Sequence, residues 1–129
     1  MGRVYSRPQI NLYSEDVLRT VAFYQRLGFT ETFRTPSVGS PIHVELVLDG
    51  FKLGIADVVS ARRDHGLDVT TDGRSAEVCV WTTDTDAAYV DLLAHGATSM
   101  SEPHDWLADL RVAWVADPDG HPVELVQRR

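Results

Sequence analysis

Three glutamates and a histidine stand where strand alternation turns side chains to one polar face: Glu45, Glu77, Glu124 and His43. An ionised carboxylate loses hydration on a half-buried face, so each needs a cation, a hydrogen-bond donor or a raised pKa. A metal ion, Arg111, His43 or a cationic ligand could each supply that relief. Glu45 and His43 also carry groups able to move a proton, which makes them the candidate catalytic pair. Beside them, Tyr13 and Trp81 offer flat surfaces, Asn11 an amide and Arg111 a guanidinium, so these four are the candidate substrate contacts.

The elements that must hold these residues follow from periodicity and turn chemistry. Ile10 and Leu12 alternate in a strand, Asp16 is placed to cap a helix, and Val17, Val21, Tyr24 and Leu27 recur at helical spacing until Gly28. Three strands are expected next, near residues 29 to 35, 42 to 48 and 51 to 57, with Asp49-Gly50 turning the last hairpin. A second copy starts with a strand near 77 to 82, continues with a helix from Asp84 to Gly96, and ends in strands near 110 to 116 and 121 to 127 around Asp117-Pro118-Asp119-Gly120. Gln9 and Glu77, Asp16 and Asp84, and Gly28 and Gly96 are all separated by 68 residues. That constant offset predicts two copies of one supersecondary unit, with function in the groove between or within them.

Alternation then assigns faces. With Ile10, Leu12, Val78 and Val80 toward the helices, Gln9, Asn11 and Tyr13, and Glu77, Cys79 and Trp81, look the other way. Val44 and Leu46 lie under the helix, leaving His43 and Glu45 in the groove; Val123 and Leu125 are buried while Glu124 is presented. The 68-residue offset maps His43 and Glu45 onto Arg111 and Ala113, and sends Trp114 toward the helix as core. His104, Asp105 and Trp106 are expected in the loop before the penultimate strand, where they could form part of a rim or lid although most loop residues do neither. Cys79, the one cysteine, excludes an internal disulfide and fits a small core or cleft residue better than a reactive thiol.

Composition limits the classes of function. The chain has 129 residues, 43% of them hydrophobic, which suits a single domain spanning 1–129. Its first module covers about 8–57, a polar linker with one helical turn about 58–73, and the second module about 74–128. A net charge of -7 without a basic stripe argues against a nucleic-acid partner. No apolar run is long enough to span a bilayer and no secretory start is visible, so the expected location is cytoplasmic and no membrane partner is expected. Met1-Gly2-Arg3-Val4-Tyr5-Ser6 meets a loose myristoylation pattern that is too permissive to carry weight.

The βαβββ repeat, with Phe23-Tyr24-Gln25-Arg26-Leu27-Gly28-Phe29 closing the first helix and Asp117-Pro118-Asp119-Gly120-His121-Pro122-Val123-Glu124-Leu125 near the end, resembles the vicinal oxygen chelate superfamily. Those proteins are glyoxalases, bleomycin-resistance proteins, fosfomycin-modifying enzymes and extradiol dioxygenases. The resemblance implies an α+β fold: two tandem βαβββ modules forming a curved mixed β-sheet groove with helices outside. It also implies metal ligands on the first and last strands of the modules, which carries Gln9, Glu77 and Glu124 into those positions. The fourth position falls on Gly54, which has no side chain to ligate. One amide and two carboxylate oxygens suit Mg²⁺ or Mn²⁺ better than Zn²⁺ or Fe²⁺, which disfavours redox dioxygenase chemistry.

Two functional classes follow. One is a lyase, isomerase or transferase acting on a small oxygenated substrate with a divalent ion on Gln9, Glu77 and Glu124. The other is a metal-free protein that sequesters a natural product or antibiotic. The open sheet edges and the resemblance both imply a homodimer.

Overall fold

The computed structural model describes residues 6–73 and 75–129; Met1 to Tyr5, with most of the myristoylation-like pattern, lie outside the described residues. The chain divides into two compact units, Met1–Thr71 and Asp72–Arg129. The first contains β1 (Ile10–Ser14), α1 (Val17–Arg26), β2 (Thr30–Thr35), β3 (His43–Leu48), β4 (Phe51–Asp57) and α2 (Val58–His65). The second contains β5 (Val78–Trp81), α3 (Thr85–Ala94), β6 (Thr98–Trp106), β7 (Leu110–Ala116) and β8 (Pro122–Arg128). Each unit is a four-stranded mixed sheet, ordered β1-β4-β3-β2 and β5-β8-β7-β6. The fold is α+β, and the last strand of each unit sits inside its sheet, parallel to the first strand and antiparallel to the third.

The same local chemistry starts both long helices. Asp16 accepts a hydrogen bond from the Arg19 amide and Asp84 from the Ala87 amide, satisfying a donor that the first helical turn leaves open. α1 then packs on β3 and β4 and buries Val17, Val21 and Tyr24 over Val44, Leu46, Leu53 and Ile55. α3 packs on β6, β7 and β8, with Leu92 in a core of Val78, Ala113, Val115, Val123 and Leu125. Ser14 and Thr20, both buried, pair their hydroxyls at 3.3 Å, so polar atoms enter the first core without losing a partner.

Turn chemistry fixes the registers. Asp49 and Gly50 both have positive φ, 49° and 79°, as a two-residue hairpin whose twist matches its strands requires. Leu48 therefore faces Phe51, and Glu45 faces Gly54. The segment expected as a linker with one helical turn is instead a two-turn helix belonging to the first unit. Asp57 caps it through the Ser60 amide, and Gly66 ends it in the left-handed region at φ 64°. Val58 and Ala61 hold it against β4. Ile10 lies on the helix side yet is 55% exposed, so alternation gives its direction but not its burial. Among the described residues, no helix is long and apolar enough to cross a membrane.

Leu46 is fully buried in the centre of the first sheet. Leu46→Ala should lower unfolding stability by about 2–5 kcal/mol. Asp84→Ala, which removes only a cap, should lower it by about 1 kcal/mol. Urea denaturation followed by circular dichroism measures both, and equal losses would contradict this account of the core.

Candidate functional site

On the face of the second sheet away from α3, register places Cys79 directly beside Glu124 on one side and Trp114 beside Glu124 on the other. Glu77, two residues before Cys79, turns to the same face, where its Oε1 accepts a hydrogen bond from Trp114 Nε1 at 3.0 Å. The His104 ring stacks on Trp114 with centroids 6.2 Å apart and planes 24° apart. Glu77, Cys79, Glu124, Trp114 and His104 thus form one cluster.

Two carboxylates, Glu77 and Glu124, set the electrostatics of this cluster. Partial burial raises the Glu124 pKa above the ordinary glutamate value, and the hydrogen bond and negative charge of Glu77 raise it further; a hydrogen bond from Cys79 opposes the shift. The Cys79 thiol, although exposed, is pushed up to about 11 by desolvation first and then by Glu124 and Glu77. It is a poor nucleophile at neutral pH.

The corresponding face of the first sheet is compensated. Glu45 Oε2 lies 3.2 Å from His43 Nε2 and accepts a long hydrogen bond, 3.4 Å, from Gln9 Nε2; Lys52 Nζ stands 3.4 Å from Oε1. Desolvation pushes the Glu45 pKa up, but His43, Gln9 and Lys52 together outweigh it and hold the carboxyl below the ordinary value. Gln9 Nε2 also donates to Asn11 Oδ1 at 2.8 Å. Phe33, half exposed, packs beside His43 with ring centroids 6.5 Å apart.

The structure therefore brings the sequence candidates together in two groups. Gln9, Asn11, His43 and Glu45 are joined in the first unit; Glu77 and Glu124 are joined in the second. Tyr13 pairs with Ala56 near the end of β1. Trp81 is 59% exposed and carries the Arg128 guanidinium 5.4 Å above its ring.

Arg111 was expected on the Glu77–Glu124 face and is not there. Its guanidinium donates to Asp86 on α3 and to Asp105 on β6, on the helix side of the sheet. Trp114, expected toward the helix, takes the other face. Both corrections have one cause. Gly54 and Glu124 are 70 residues apart, but Glu45 and Trp114, which pair with them, are 69 apart, so the 68-residue offset no longer holds in β7. The extra residue enters along β6, a nine-residue strand with two register shifts where β2 has six residues. His104, Asp105 and Trp106 accordingly lie in β6, not in a loop. Counting register back from the Asp117–Gly120 turn would have found Trp114. Lys52 had no distinguishing signal in the sequence, and His104, expected in a loop, stacks on Trp114 from β6 instead.

Asp117, Asp119 and His121 bring ligand-type atoms within 4.8 Å of one another. The Asp117 carboxylate already accepts from the backbone amides of Asp119 and His121 and pairs with the His121 ring at 2.9 Å, so this cluster braces the turn before β8.

The family model for the glyoxalase/bleomycin resistance protein/dioxygenase superfamily matches residues 7–125. The chain belongs to that superfamily. Solved structures similar to it include a glyoxalase-related enzyme from Fulvimarina pelagi, with TM-score 0.79 and 22% identity over 96% of this chain and 89% of that one. TioX from Micromonospora sp. ML1 aligns with TM-score 0.71 and 24% identity over 96% and 100% of the two chains. A mutant of the fosfomycin resistance protein FosX from Listeria monocytogenes, complexed with Mn(II) and 1S,2S-dihydroxypropylphosphonic acid, aligns with TM-score 0.71 and 17% identity over 98% and 93%. No curated protein matches the chain.

Because Glu124 binds its proton more tightly in the folded chain than in the unfolded one, it adds stability below the ordinary glutamate pKa, and that stability is lost as pH rises through the raised value. Glu124→Gln should remove this component, so the stability difference between wild type and variant should shift in favour of the variant between mildly acidic and neutral pH. Parallel urea titrations across that range test it; a pH-independent difference would be the contrary result. Cys79, at about 11 against 9.0, should alkylate with iodoacetamide at neutral pH roughly a hundredfold more slowly than an unperturbed exposed thiol, and Glu124→Gln should speed it.

Proposed function

We propose that this chain is a small-molecule-binding enzyme of its superfamily in which Glu77 and Glu124 hold a hard divalent cation, Mg²⁺ or Mn²⁺, for a non-redox lyase, isomerase or transferase reaction on a small oxygenated substrate. The observation that carries it is the carboxylate pair: two glutamates turned to one face of the second sheet, Glu77 held there by Trp114 and Glu124 set between Cys79 and Trp114, with the proton affinity of Glu124 raised by burial and by Glu77. A cation between them would relieve their mutual repulsion. Carboxylate oxygens fit a hard ion, and the fold holds Mn(II) in the Listeria neighbour. The cation would polarise substrate oxygens. The indole N–H of Trp114 fixes Glu77 in place, and His104 backs the indole. Gln9, expected as a third ligand, is assigned instead to the network of its own unit.

A second reading rests on the Trp114–His104 stack. A flat aromatic surface beside a carboxylate pair also suits an organic cation, which would make the protein a metal-free binder of a natural product. Under either reading we expect a homodimer, which light scattering at micromolar concentration tests by mass.

Isothermal titration with Mn²⁺ separates the readings. Under the first, wild type binds about one ion per chain, affinity rises with pH because Glu124, whose proton affinity is raised, must lose its proton to ligate, and Glu77→Gln and Glu124→Gln each weaken binding at least about tenfold, or about 1.4 kcal/mol. Wild-type protein that binds no Mn²⁺ between mildly acidic and mildly alkaline pH would sink the cation assignment. The metal-free reading would then predict that Trp114→Ala abolishes binding of an aromatic ammonium compound.

A further inference from the structure

A non-redox lyase or isomerase needs a side chain that moves a proton, and the cation assignment occupies the two glutamates nearest at hand. On the face of the second sheet away from α3, the titratable side chains that register and contacts place there are Glu77, Cys79, His104, Glu124 and Arg128. Cys79, pushed up to about 11, keeps its proton at neutral pH. Arg128 is paired with Asp109, and a guanidinium does not give up its proton. His104 remains, and imidazole is the side chain best suited to give and take a proton near neutrality.

The backbone sets the ring for that task. His104 Nδ1 lies 2.7 Å from the carbonyl oxygen of Glu102, and a carbonyl only accepts, so Nδ1 carries the hydrogen. The lone pair is therefore on Nε2, on the side of the ring turned away from that carbonyl. Among the described residues, none bonds to Nε2.

Stacking gives the ring its direction. His104 pairs with Val112, yet its ring lies on Trp114, which pairs with Glu124. The imidazole thus leans along the sheet towards the row that holds Glu124. Strand spacing puts the Cα atoms of His104 and Glu124 about 12 Å apart, with Trp114 on the strand between them. An imidazole leaning in from one side and a glutamate from the other leave room for a cation and a small substrate fragment, and no more. The same indole that carries the His104 ring holds Glu77 through its nitrogen.

We propose that His104 is the catalytic residue that transfers the proton in this site, with Nε2 as the reacting atom. The inference rests on the cation assignment of Glu77 and Glu124 and adds the acid–base partner to it. A C–H bond next to a substrate carbonyl breaks, its proton goes to Nε2, and its electron pair stays on the substrate as an enolate. Return of that proton to the neighbouring carbon completes an isomerisation; departure of a leaving group with the electron pair completes an elimination. No oxidant or reductant is consumed.

Two measurements test this. In metal-free, isotope-labelled protein at mildly alkaline pH, nuclear magnetic resonance should show His104 as the Nδ1–H tautomer. With Mg²⁺ in heavy water, wild type should speed deuterium exchange into hydroxyacetone, whose carbonyl and hydroxyl are adjacent, and the rate should rise with pH to a plateau. His104→Phe, which keeps a flat ring on Trp114, should slow that exchange at least about a hundredfold while Mn²⁺ affinity stays as in wild type. Free imidazole should restore exchange to His104→Ala, where the place of the ring is open, and not to His104→Phe. An Nε2–H tautomer, wild-type exchange no faster than with Mg²⁺ alone, exchange indifferent to His104→Phe, or no rescue of His104→Ala would overturn the proposal while leaving the cation assignment standing. Failure of wild type to bind Mn²⁺ would instead sink that assignment, and this role of His104 with it.

Discussion

Each unit is organised by one constraint: its last strand lies inside the sheet, hydrogen-bonded to the first strand on one side and the third on the other. A residue at the middle of that strand has a neighbour on both flanks, and pairing register alone decides which. In the first unit this position is Gly54, between Asn11 and Glu45. In the second it is Glu124, between Cys79 and Trp114. The backbone arrangement is the same, but one unit places no side chain at its centre and the other places a carboxylate. The difference in chemistry between the two faces starts there.

The fold was legible because its signals are local. Aspartates at two helix starts, glycines at two helix ends and Asp-Gly at a hairpin each specify backbone geometry within a few residues, and the apolar alternation of β3, β4 and β8 states which side is core. The α2 helix was under-read because its composition is polar and only Val58 and Ala61 anchor it. Asp57 and Gly66, a cap and a left-handed stop, were the legible evidence, and they outweigh polarity once the helix has a surface to rest on.

The site was legible in part, and the division follows the same logic. Residues in strands close to a turn, such as Glu124, kept their predicted face because few residues separate them from a fixed register. Glu77 kept its face because the first strands obey the 68-residue offset. Arg111 and Trp114 exchanged faces because one inserted residue along β6 inverts every side chain downstream of it until the next turn resets the count. Repeat arithmetic is therefore reliable at helix caps and poor along edge strands, where bulges are tolerated.

The exchange has an electrostatic consequence. With Arg111 on the helix side, its charge is matched by Asp86 and Asp105 and is withdrawn from the carboxylates of the opposite face. Had it stood beside Glu77, a guanidinium would have held both glutamates ionised and left little affinity for a further cation. Trp114 instead supplies a single neutral donor, which orients Glu77 without cancelling its charge. In the first unit the opposite choice was made: Lys52 and His43 surround Glu45, and the carboxylate there serves to orient its neighbours. Two copies of one backbone have thus diverged in how they meet a carboxylate: Lys52 stands beside Glu45 in the first unit, and Trp114 gives Glu77 a neutral donor in the second.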